Sequence, residues 1–124
     1  MQLWPNALAE LLQSVELAPH LTEAQLKLGE LYFLSKNLVQ ARAKAQRVLE
    51  EDATQVQGYL LLGKVAAAEG QFPEAFAAVN KALQLAPDNP EASLALGAIH
   101  FIRQDLKQAE DTFQQAIARY PTAV

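Results

Sequence analysis

Displaced by 34 residues, the sequence matches itself without a gap over residues 22–123, which divides that stretch into units 22–55, 56–89 and 90–123. The sharpest marks are Leu28-Gly29, Leu62-Gly63 and Leu96-Gly97. Gln25, Tyr59 and Ser93 stand three residues before each Leu, and Tyr32, Ala66 and His100 three after each Gly. Small residues follow at Ala41, Ala75 and Ala109, then Ala45, Val79 and Phe113 four further on. A period of this length is one supersecondary unit. Such a unit cannot bury its apolar side alone, so successive units must stack.

Within each unit the apolar residues follow helical spacing twice. The first helices are expected near 22–35, 56–69 and 90–103, the second near 38–51, 72–85 and 106–119. Gly29, Gly63 and Gly97 fall inside the first helices, where glycine costs about 1 kcal/mol against alanine. Their recurrence points to close approach of the paired helix. Asn37 and Gly70 are the residues expected to leave a helix in a left-handed conformation. Pro87 and Pro121 end the second and third units, and Pro90 fits the first turn of a helix capped by Asn89. Residues 4–17 fall in the same frame, with Ala7 and Pro19 at marked positions, as the second helix of an incomplete preceding unit. Seven helices are therefore expected.

The 34-residue period, the Leu-Gly pairs, the alanine column and the closing prolines resemble the tetratricopeptide repeat family, over about four fifths of the chain as full repeats. The resemblance implies an all-α fold, a single domain over 1–124 in which helix pairs stack into an alpha-alpha superhelix. It also implies a concave face built by the first helices. On that face the resemblance places Leu26, Glu30 and Phe33, then Leu60, Lys64 and Ala67, then Leu94, Ala98 and Phe101 as partner-binding residues. Family members that clamp a peptide's terminal carboxylate use Lys, Arg and Asn there. Here those positions hold mainly Leu26, Glu30, Leu60, Leu61, Glu91 and Ala95, so that mode is not expected. At the far end Leu106 and Phe113 are expected to engage the helix pair, leaving Leu94, Ala98, Phe101 and Ile102 open because no eighth helix follows Pro121.

Composition narrows the function. Hydrophobic residues make up 51% and charged residues 19%, a balance that folds. The net charge of −4 carries no long run of either sign, which argues against nucleic acid and anionic membranes as partners. There is no cysteine, and the start Met1-Gln2-Leu3-Trp4-Pro5 opens neither a signal peptide nor a membrane span. The expected location is cytoplasmic, or periplasmic if the sequence is an excised domain.

No metal-binding or phosphate-binding motif occurs, and no cofactor is expected. His20 and His100 stand far apart, and His100 occupies the Tyr32 position, where a packed ring with one satisfied nitrogen is expected. Arg42, Lys44 and Arg47 lie too near Glu50, Glu51 and Asp52 to make an RNA face. The expectation is a non-enzymatic adaptor or scaffold that holds a protein or peptide. The alternative is a self-assembling repeat element, a homo-oligomer or a fragment of a larger scaffold.

Overall fold

The computed structural model describes residues 21–120. Six helices and no strand occur among them: α1 Thr22–Leu34, α2 Leu38–Glu51, α3 Val56–Ala68, α4 Phe72–Leu85, α5 Pro90–Ile102 and α6 Leu106–Arg119. The starts of α1, α3 and α5 are 34 residues apart, and so are those of α2, α4 and α6. The helix expected over 4–17, His20 and the residues after Tyr120 lie outside the described residues.

Each pair is joined by the same turn. The N–H of Asn37 donates to Tyr32 O at 2.8 Å, that of Gln71 to Ala66 O at 2.8 Å and that of Asp105 to His100 O at 2.9 Å. Inside each of these bonds a tighter one runs from Lys36 to Phe33 O, from Gly70 to Ala67 O and from Gln104 to Phe101 O. Two nested bonds of this kind form a Schellman motif, whose penultimate residue is left-handed. That residue is Lys36 (φ 65°), Gly70 (φ 77°) and Gln104 (φ 69°). The left-handed residue of the first turn is thus Lys36, one place before the expected Asn37. Asn37 instead caps α2, its side chain accepting from Gln40 N at 3.4 Å.

Between units the chain turns differently. Thr54 donates its N–H and its hydroxyl to Asp52 Oδ1 at 2.9 and 2.6 Å. These bonds hold the Asp52 carboxyl below the usual carboxylate range, the Thr54 hydroxyl contributing most. Asn89 caps α5 by accepting from Glu91 N at 2.9 Å and Ala92 N at 3.4 Å, with Pro90 in the first turn.

The core lies between units as much as within them. Ala41, Ala45, Leu61 and Val65 form one buried cluster, so the second helix of one unit meets the first helix of the next. Ala66, Ala67, Ala75, Val79 and Ile99 form another, which repeats the arrangement one step on. Ala41, Ala75 and Ala109 are all buried, as close packing at that column requires. The Leu-Gly leucines are less uniform than expected: Leu28 is fully buried, while Leu62 and Leu96 are half-buried.

Charged groups also join neighbouring units. Arg42 of α2 reaches across to Glu74 of α4, with Nη1 at 2.8 Å and Nη2 at 2.6 Å from its carboxylate oxygens, and it also pairs with Glu69 after α3. Arg47 pairs with Glu51 one turn along at 3.0 Å. Two of the three clustered cations are therefore engaged within the array.

Candidate functional site

Because α1, α3 and α5 all start each unit and run the same way, residues 34 apart lie side by side across the array. On α3 the positions 57, 60, 61 and 64 follow the i, i+3, i+4, i+7 spacing of one helical stripe, and on α5 the matching positions are 91, 94, 95 and 98. With Glu30, Phe33 and Leu34 of α1 they line a concavity of about 620 Å³. Its floor and walls are apolar: Phe33, Leu34, Leu60, Leu61, Leu94, Ala95 and Ala98. Four polar side chains stand among them, namely Glu30, Gln57, Lys64 and Glu91. Gln57 donates to Glu91 Oε2 at 3.1 Å, whereas Glu30 and Lys64 make no ion pair among the described residues.

Six of the nine residues expected on the binding face line this concavity: Glu30, Phe33, Leu60, Lys64, Leu94 and Ala98. Of these, Leu60 is not open. It is only 2% exposed, packed with Ala82 and Ala92, and contributes to the floor. Ala67 is 3% exposed and belongs to the buried cluster that contains Ile99, so it faces the next unit and not the concavity. Leu26 is half-buried against the Ala41–Leu61 cluster. Phe101 is exposed but lies off the concavity.

The reason is stacking. Phe33, Ala67 and Phe101 share one column, yet Ala67 has a following unit against it and Phe101 has none among the described residues. Leu106 behaves likewise. Its equivalents Leu38 and Phe72 pack on buried clusters, but Leu106 is 61% exposed, against the expectation that it engages the helix pair. Phe113 does engage it, with its ring against Gly97. Leu94, expected both on the binding face and at the open end, is half-buried and lines the concavity.

Leu61 and Ala95, which the sequence matched to clamp positions but did not place among the partner-binding residues, also line the concavity. The i+4 step from Gln57 and from Glu91 would have found both. His100 packs on Phe76 with ring centroids 4.9 Å apart, and Arg103 lies over the same Phe76 ring. Its Nδ1 has no hydrogen-bond partner among the described residues, so the satisfied nitrogen expected there is not this one.

Residues 1–56 and 60–124 match a family model described as the tetratricopeptide repeat. The chain belongs to the tetratricopeptide repeat family. Proteins of this family generally bind protein partners and are generally not enzymes. Among solved structures, the tetratricopeptide array is similar to TTC0263 of Thermus thermophilus, with a TM-score of 0.87 and 18% identity over 96% of this chain and 67% of that one. It is also similar to a MamA protein, with a TM-score of 0.76 and 22% identity over 97% of this chain and 66% of that one. At these identities the likeness shows the fold.

A curated relative, the probable biofilm formation methyltransferase WspC of Pseudomonas putida, is 35% identical over 77 residues. That stretch is 62% of this chain but only 18% of the relative's length. Among the described residues no helix of the array is long and apolar enough to cross a membrane.

Proposed function

We propose that this tetratricopeptide array is a protein-interaction module that receives a peptide or helical segment of its partner in the concavity between α1, α3 and α5. The observation that carries this reading is the apolar lining contributed by three successive units, by α3 and α5 at matching positions and by α1 through Phe33 and Leu34 one turn further along. Such a surface gains free energy when covered, at about 25 cal/mol per Å² of apolar area. The chain acts as a holder and not as a catalyst. The likeness to WspC fits this reading, since a binding module can serve within a larger protein.

Ala98 is the position to test, because it is exposed, lines the concavity and sits in mid-helix where Glu is well tolerated. Ala98→Glu is expected to weaken binding of a labelled leucine-striped amphipathic peptide by roughly tenfold, about 1.4 kcal/mol. The melting temperature is expected to hold. Equal affinity for the two proteins in fluorescence anisotropy would remove the concavity as the binding surface.

Self-assembly is the second reading, and it rests on a different surface. Phe101, Ile102 and Leu106 are 60%, 50% and 61% exposed at the last helix pair. A second copy of the chain covering them would show as a concentration-dependent mass in light scattering, and a constant monomer mass would exclude it.

A further inference from the structure

We propose that the segment held in the concavity is a cationic amphipathic helix, with basic residues at both ends of an apolar stripe; this rests on the concavity being the binding surface. The apolar lining asks for an apolar stripe but does not by itself select a charge. The selection comes from the carboxylates. Glu30 stands at the α1 side, exposed and without an ion-pair partner among the described residues. Glu91 stands in the first turn of α5, also exposed, and among the described residues its side chain accepts only from the uncharged Gln57.

Neither carboxylate is held in an ion pair among the described residues, so a partner that approaches meets both. The two lie on opposite walls. Neighbouring helices pack about 8–10 Å apart and a helix rises about 1.5 Å per residue, so two helix spacings and two helical turns separate the carboxylates by roughly 20 Å. That distance is about four turns of a bound helix, with one carboxylate near each end. A ligand with a basic residue at each end satisfies this pattern in either direction of binding.

Lys64, 34 residues on from Glu30, stands beside it on α3 and is the one cation of the lining. It is compatible with such a ligand through an acceptor on the stripe next to the basic residue that meets Glu30. An acidic peptide would meet one lysine and two carboxylates, and like charges across an interface select against the wrong partner.

The probes are three amphipathic peptides, each about four helical turns long. All share one leucine stripe and carry Lys, Glu or Gln at the two ends. In fluorescence anisotropy the Lys-ended peptide is expected to bind roughly tenfold more tightly than the Glu-ended one, about 1.4 kcal/mol. The preference should shrink at high salt, where the Debye length falls from about 8 Å to about 3 Å.

The Glu30→Gln and Glu91→Gln double variant should abolish the preference for the Lys-ended over the Glu-ended peptide. Both sites are exposed, so circular dichroism and the melting curve should match the parent. Lys64→Glu provides a second test that leaves both carboxylates in place, and it should enlarge the preference. Equal binding of all three peptides overturns the charge selection and leaves the concavity as the binding surface. Binding of none overturns both. A preference that survives the double variant, or is unmoved by Lys64→Glu, overturns the assignment to these groups.

Discussion

Gly63 is held in mid-helix by what stands opposite it. A Cβ there would lie 2.9 Å from Val79 Cγ2 and 3.5 Å from Ala75 O, both on α4. Val79 is fully buried and stiff at χ1, so it has little room to yield. Gly63→Leu gains up to about 1 kcal/mol in helix propensity but overpacks this contact, which costs on the order of 1–3 kcal/mol or more. The expected result in urea unfolding is a net loss of stability, and a more stable variant would show that close approach is not the reason for the glycine. Lys36 and Gln104 make the converse case. Both occupy the left-handed position that Gly70 fills without a side chain. A left-handed backbone costs an L-residue about 1–2 kcal/mol, so Lys36→Gly and Gln104→Gly should each stabilise by roughly 0.5–1 kcal/mol. A loss of stability for either would mean that its side chain contributes more than its backbone costs.

Among the elements, the junction of α2 with α4 is fastened by charge. Arg42 holds the Glu74 carboxyl below the usual carboxylate range, chiefly through their side-chain hydrogen bonds, and Glu74 with Glu69 raises the Arg42 pKa in return. A folded-state pKa below the unfolded one means that the pair stabilises the fold above the unfolded carboxylate pKa. That contribution is lost as the pH falls through the depressed folded value. Glu74 is 43% exposed, so solvent screening keeps the contribution under about 1 kcal/mol. Glu74→Gln should lower stability slightly at neutral pH and flatten the acid limb of the stability curve. An unchanged slope between pH 7 and the acid transition, in denaturant melts, would show that the pair does not couple the units. The order of the helices and their turns was legible in the sequence because each rests on neighbours in the chain. The nested turn bonds span only a few residues, as do the caps from Asn37 and Asn89. The one-place shift from Asn37 to Lys36 arose because a left-handed lysine leaves no compositional mark, unlike Gly70.

At the scale of the whole molecule, the last described helix pair exposes Phe101 and Leu106, whose counterparts Ala67, Leu38 and Phe72 pack on buried clusters. Phe101→Glu is expected to spare the fold and to leave peptide affinity at the concavity unchanged, because the ring is exposed and lies off the lining. It should also lower any self-association seen by light scattering. A protein that unfolds on this change would show that Phe101 is packed. The sequence by itself determined the repeat length, the helix-pair order, the alanine and glycine columns and the identity of the side chains offered along the inner helices. Only the tertiary structure decided which of those side chains are open. Leu26, Leu60 and Leu94 look alike in a self-alignment, yet Leu60 is closed off by the Ala82–Ala92 packing while Leu94 stays half-buried. Ala67 and Phe101 share a column and have opposite exposures. A repeat period reports what each unit places at a position, through hydrogen bonds and spacing that are local. Burial depends on the unit stacked against that position, and a unit in the middle of the array has neighbours on both sides.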